Sequence, residues 1–167
     1  MTPDDCAAVA EIRVRGWQRA YAGLIPQAYL DAMDIARDAE HRRARLTANA
    51  APANLVAEAP DTTVTGWACY GPSRDEDAPP GTAELYALYV HPDRIGTGTG
   101  RTLLTEAIAR ARADGFTGLS LWVLRGNTHA RRFYERAGFH PDGTEDSSET
   151  GGALVPEVRY VCAPVPE

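Results

Sequence analysis

With 167 residues the chain has the size of one domain and can bury a core without disulfide or metal staples. Its net charge of −6, with histidines neutral, argues against wholesale nucleic-acid binding, and no stretch is long and apolar enough to span a membrane. Cys6, Cys69 and Cys162 lie far apart without metal-ligand spacing, and the N-terminus carries acid where a signal peptide carries base, so the expectation is a cytoplasmic protein with buried free thiols and no metal.

Thr2-Pro3-Asp4-Asp5 reads as a helix start: a capping hydroxyl, proline at the first position, then acids. A stripe at Ala10, Val14, Trp17 and Tyr21, spaced four, three and four, continues that helix to Gly23. A short helix begins near Pro26 and runs through Tyr29, Leu30 and Met33. Asp34 caps a third helix carrying Arg37, Arg42, Arg43 and Arg45, read as a solvated basic face rather than an anion grip. Residues 49–54 read as a turn, 55–58 and 64–71 as a hairpin, and 72–81 as an acidic, proline-rich surface loop. A central strand follows at 83–90 and a helix at about 98–114, stopped by Gly115. Leu119, Leu121 and Val123 alternate with Ser120 and Trp122, predicting a strand parallel to the central one after the helical crossover. Asn127 caps a further helix with the inner face Ala130, Phe133, Tyr134 and Ala137. Strands at 140–146 and 153–161, joined by a polar turn at 147–152, close the chain. The sum is a mixed α/β sheet in one domain covering 1–167.

The stretch 85–100, LYALYVHPDRIGTGTG, couples a buried strand to three alternate glycines and then to a helix. Main-chain N–H groups at such a helix start point along the positive end of the helix dipole and suit an anion. A P-loop is excluded because Arg101-Thr102 follows Gly100 where Lys-Ser or Lys-Thr is needed; a dinucleotide fingerprint is excluded by the glycine spacing. Two readings remain: a pyrophosphate cradle over Gly96, Thr97, Gly98, Thr99, Gly100 and Arg101, or a tight turn with no ligand.

The stretch 83–143 resembles the GNAT superfamily of N-acetyltransferases, and Trp17-Gln18-Arg19-Ala20-Tyr21 through Ile25-Pro26 resembles its small-molecule type. Tyr89-Val90-His91-Pro92, then Gly96, Gly98-Thr99-Gly100 and Leu103-Leu104, match that family's central motif. Asn127, Ala130, Phe133-Tyr134 and Gly138-Phe139 match its following motif. Ile95 stands where the family carries Gln or Arg, with Arg94 one position earlier. The resemblance implies an acyl-CoA N-acyltransferase fold whose parallel strand pair splays around acetyl-CoA, with main-chain groups at Leu88, Tyr89 and Val90 holding pantetheine and thioester. It implies Asn127 as helix cap and CoA contact, and Arg131 or Arg132 at the nucleotide phosphates. It implies Tyr134 as the acid that protonates the departing sulfur, against the alternative of a buried core tyrosine. Glu84 is the expected general base, acting through water, with Glu157 and His91 behind it. The acceptor, a small-molecule primary amine, is expected between the first helices and the final hairpin, with Trp17, Tyr21, Tyr29, Trp67 and Tyr86 as wall candidates. The acidic runs Asp75-Glu76-Asp77 and Glu145-Asp146 are either amine attractors or solvent faces. Homodimers are common in the family. A protein N-acetyltransferase and a non-catalytic CoA-binding sensor stand as alternatives.

Overall fold

The computed structural model describes residues 1–46 and 52–162. The elements run α1 (Cys6–Ala20), α2 (Gln27–Asp31), α3 (Ile35–Leu46), β1 (Ala53–Glu58), β2 (Val64–Pro72), β3 (Thr82–Val90), α4 (Thr99–Ala113), β4 (Gly118–Leu124), α5 (Thr128–Arg136), β5 (His140–Thr150) and β6 (Ala153–Cys162). Short 3-10 turns lie at Pro3–Asp5 and Pro92–Arg94. Residues 49–51 of the expected turn lie outside the described residues, and Ala53 and Asn54 already belong to β1. Among the described residues no helix is long and apolar enough to cross a membrane.

The strands form one mixed sheet in the order β1-β2-β3-β4-β6-β5, with β3 and β4 parallel and the other pairs antiparallel. One face is covered by α4 and α5, where Leu103, Leu104 and Ala107 pack with Leu119, Leu121 and Tyr134. Each buried leucine contributes about 1.5–3 kcal/mol there. The other face is covered by α1 and α3, with Val9 packed on Trp67 and Cys69. All three cysteines are free and buried.

A bulge in β3 decides which side chains face which layer. Register slips by one between Cys69 and Tyr70, leaving Tyr86 without a partner across the ladder. An extra residue reverses the alternation of a strand. Leu85 and Leu88 therefore both face the α4 layer, while Tyr86, Ala87 and Tyr89 all face the α1 layer.

Two expectations need correction. β5 continues to Thr150, so Ser147, Ser148, Glu149 and Thr150 are strand rather than turn, paired in register with β6. Their polarity follows from an exposed edge strand, and the turn is only Gly151-Gly152, both at positive φ. The arginines of α3 are not uniformly solvated either. Arg42 lies 4.0 Å over the Trp67 ring and pairs with Asp38 at 2.7 Å, and Arg13 from α1 meets the same carboxylate at 2.9 Å.

Candidate active site

β3 and β4 pair only through Thr82–Gly118, Ala83–Leu119 and Glu84–Ser120. Beyond Glu84 the two strands no longer pair, while β4 stays bonded along its other edge to β6 from Leu119 to Leu124, so the edge of β3 facing β4 is open. The His91 N–H donates to Thr65 O on β2 at 2.8 Å. Main-chain groups alternate direction along an antiparallel strand. Tyr89 and Ala87 therefore turn their amides to β2, while Leu88 and Val90 turn theirs into the gap. Of the three residues expected to offer amides there, Leu88 and Val90 do so and Tyr89 does not.

The gap leads to the glycine turn. Gly96 and Gly98 sit at φ +85° and +91°, the left-handed region that favours glycine. Gly98 caps α4, and the first helical bond runs from Thr102 N–H to Gly98 O at 3.0 Å. The amides of Thr99, Gly100 and Arg101 thus have no carbonyl one turn back. Nothing lies within 4 Å of where a Cβ would stand on Gly96 or Gly98, so the space over the turn is open. Beneath it, Gly100 lies against Val90 and Phe133. Thr97 Oγ1 donates to Arg94 O at 2.7 Å and shares a 3.0 Å hydrogen bond with Thr99 Oγ1, which stiffens the turn. Ile95 points outward, 47% exposed. Free amides on a helix start beside an open strand edge fit a phosphate-bearing ligand whose chain continues along β3.

Tyr134 lies on the inner face of α5, edge-on to Phe133 and Phe139. Its hydroxyl takes part in no hydrogen bond among the described residues. Among the described residues no sealed side-chain oxygen is left without a partner, so this one keeps some solvent access. Burial, with the nearby Tyr89 phenol adding to it, pushes the Tyr134 hydroxyl above the usual tyrosine range. It therefore stays protonated near neutral pH.

Asn127 caps α5 by accepting from Ala130 N–H at 3.1 Å through Oδ1. Arg131 is engaged inside the protein: its Nε donates to Tyr160 Oη at 3.0 Å and its Nη1 to Arg125 O at 3.1 Å. Arg132 and Arg101 are exposed. His91 is a turn-former whose Nδ1 accepts from Asp93 N–H at 3.3 Å.

On the α1 face, opposite the glycine turn, a cavity of about 210 Å³ opens between α1, β3, β4 and the β5–β6 hairpin. Trp17, Tyr21, Tyr86, Tyr89 and Trp122 form its aromatic walls, with Glu84 and Glu157 among them. This cavity lies in the region where the acceptor was expected, and Trp17, Tyr21 and Tyr86 of the five expected wall residues line it. Trp67 instead stacks on Tyr89 beneath Arg42. Tyr29 lines a separate crevice of about 190 Å³ whose Arg13 and Asp38 pair with each other. The walls are hydrogen-bonded together. Trp17 Nε1 donates to Tyr89 Oη at 2.8 Å, and Tyr21 Oη lies 3.2 Å from the same oxygen.

Glu84 is 1% exposed and fully engaged. Its Oε2 accepts from the Arg74 main-chain N–H and from Arg74 Nε, each at 3.1 Å, and its Oε1 accepts from Arg74 Nη2. The acidic loop is pinned too. Arg159 uses every N–H of its guanidinium: Nε to Asp142 at 2.7 Å, Nη1 to Asp75 at 3.2 Å and Asp77 at 2.6 Å, Nη2 to Asp77 at 2.8 Å and Thr144 at 2.9 Å. Trp122 Nε1 donates to Asp75 at 3.0 Å. Asp75 and Asp77 thus hold the loop carrying Arg74 rather than attract an amine. Arg74, Trp122 and Arg159 were not foreseen as site residues. Strand alternation alone assigns Trp122 to the face opposite Leu121; nothing local to Arg74 or Arg159 marks them.

Residues 12–139 match the family described as the acetyltransferase (GNAT) family. The N-acetyltransferase YuaI of Bacillus subtilis (strain 168) is 28% identical over 156 residues, 93% of this chain and 86% of that protein. The L-methionine sulfoximine/L-methionine sulfone acetyltransferase of Pseudomonas aeruginosa is 36% identical over 89 residues, 53% of this chain and 51% of that one. The solved structure of yncA from Salmonella typhimurium with acetyl-CoA has a TM-score of 0.73 and 25% identity, covering all of this chain and 92% of that one. The family match spans the open strand edge, the glycine turn and Tyr134 together, and this chain belongs to the acetyltransferase (GNAT) family.

Proposed function

We propose that the chain transfers an acetyl group from acetyl-CoA to the primary amine of a small molecule. The observation that carries this reading is the gap between β3 and β4, with free amides and the glycine turn on one side and an aromatic, carboxylate-bearing cavity on the other. Acetyl-CoA supplies the activated acyl group. Leu88 and Val90 hold its pantetheine arm through main-chain groups, as an added strand would be held. Gly98, Thr99, Gly100 and Arg101 hold the pyrophosphate by their amides, with Gly96 and Thr97 shaping the turn. Asn127 keeps its carboxamide N–H groups for the same ligand. Arg132 takes the nucleotide phosphate, since Arg131 is bound to Tyr160 and Arg125. Tyr134 gives its proton to the departing sulfur.

The cavity of about 210 Å³ suits a compact acceptor rather than a peptide or a drug-sized molecule. The relative that acts on L-methionine sulfoximine and sulfone makes those amines the first to try. In the pocket, Glu84 and Arg74 act as a fixed pair that shapes the wall.

A thiol-release assay with acetyl-CoA over an amine panel tests the reading. The panel holds L-methionine sulfoximine, L-methionine sulfone, simple alkyl and aryl amines, and short peptides with free N-termini. Turnover of small amines in preference to peptides is the expected result. Turnover of peptides alone replaces it with a protein N-acetyltransferase, and tight CoA binding without any turnover replaces it with a sensor.

A further inference from the structure

The acceptor cavity contains two glutamates in unlike circumstances. Glu84, from β3, has both oxygens committed to Arg74 and is sealed from solvent. Glu157, from β6, lines the same cavity half-buried and has no ion-pair partner among the described residues. An ammonium meeting Glu84 must first displace a guanidinium that holds it through two nitrogens. An ammonium meeting Glu157 displaces nothing of that kind.

We propose that Glu157, not Glu84, takes the proton from the acceptor amine. The inference rests on the N-acetyltransferase reading above. The groups facing Glu157 come from every neighbouring element. Asp146 stands opposite it in register on β5, with Ser148 further along that strand. Arg74 and Glu84 look across the cavity, and Tyr21 reaches in from α1. Burial, followed by the negative charge of Asp146, raises the proton affinity of Glu157 above that of an ordinary glutamate; Ser148 and Arg74 oppose this and Glu84 adds to it. A carboxylate so placed is better matched to accepting a proton near neutral pH.

The protons balance. The ammonium loses one to a Glu157 oxygen, which later releases it to solvent. The freed nitrogen lone pair forms the C–N bond to the acyl carbon as the C–S bond breaks. The sulfur takes a proton from Tyr134, and the second proton lost by nitrogen restores that phenol.

Two probes separate proton removal from binding: L-methionine sulfone, whose amine is protonated at neutral pH, and hydroxylamine, which is already neutral. With Glu157→Gln, kcat/KM for the sulfone falls about 10²-fold or more and loses its rise with pH, while hydroxylamine turnover changes by only a few-fold. Glu84→Gln keeps that rise, whatever it does to acceptor KM. Equal losses on both probes, an unaltered pH profile in Glu157→Gln, or loss of the rise in Glu84→Gln overturns the assignment. A wild-type protein that acetylates no amine fails the enzymatic reading itself. Carboxyl 13C NMR titration of the free protein then judges Glu157 separately: titration above the ordinary glutamate range is expected, and titration at or below it overturns the inference.

Discussion

On the α4 side of β3 the groups left free for a ligand are main-chain amides: Leu88 and Val90 in the gap, then Thr99, Gly100 and Arg101 at the helix start. On the α1 side they are side chains drawn from α1, β3, β4, β6 and the loop before β3, held by contacts between residues far apart in the chain. The two sides differ in what they tolerate. An amide cradle depends on backbone angles, so only a change of φ and ψ removes it. A side-chain pocket depends on which rotamers its partners enforce, so a change several residues away reshapes it. The first suits a ligand common to a family, and the second suits an acceptor that differs from member to member.

Tyr134 packs in the α4–α5 layer, near enough to Tyr89 of the other side to feel its phenol, and replacing it should have the largest effect. Tyr134→Phe should lower kcat about 10²–10⁴-fold while acetyl-CoA affinity stays within a few-fold, as steady-state kinetics and calorimetry will read. Unchanged kcat would return Tyr134 to the core beside Phe133 and Phe139.

Arg159→Met attacks the side-chain half. It leaves Asp75 and Asp142, both largely covered, facing each other and the exposed Asp77 without their cation, which destabilises the loop. The melting temperature should fall by several degrees, since each kcal/mol moves a domain of this size by about 2–4 °C. Acceptor KM should rise, because Asp75 and Arg74 share the released loop, whereas acetyl-CoA affinity should hold. The pH dependence adds a second readout. Burial alone would raise the Asp142 carboxyl, but the Thr144 N–H and the Arg159 guanidinium outweigh it and hold it below the usual range. The folded value is depressed, so its stabilising effect is complete above the ordinary aspartate range and disappears as pH falls through the lowered value. Arg159→Met should therefore flatten the acid limb of a plot of melting temperature against pH; an identical limb would show that the clasp contributes nothing there.

Gly98→Val probes the main-chain half. A branched side chain at φ +91° is strained by about 1–2 kcal/mol whatever the surrounding space, and relief of that strain moves the first amides of α4. Acetyl-CoA affinity should drop at least about tenfold with acceptor KM little changed. A rise in acceptor KM instead would dissolve the distinction between the two sides. The smallest effect is expected for Asn127→Ala, which removes the 3.1 Å cap of α5 and should cost about 1 kcal/mol in chemical denaturation.

Much of this molecule is determined by the sequence alone. Local rules produce the order of helices and strands, the glycine turn at positive φ and the Asn127 cap, because each involves residues within about one helical turn of each other, and the helix between β3 and β4 then implies their parallel pairing. The 147–150 segment escaped those rules: its polarity suggests a turn, and only pairing with β6 makes it a strand. The bulge at Tyr86 likewise carries no signature in LYALYV, yet it puts Tyr86 and Tyr89 on one face and Leu85 and Leu88 on the other.

Tertiary structure alone decided the fate of the charges. Glu84 and Glu157 are both isolated glutamates on strands when read in the chain. Arg74 closes on one of them from 10 residues away, and Arg159 reaches Asp77 across 82. Charge pairs of that separation follow no periodicity. They are chosen by which side chains the finished sheet brings within about 3 Å, and by the need to neutralise whatever the core has enclosed.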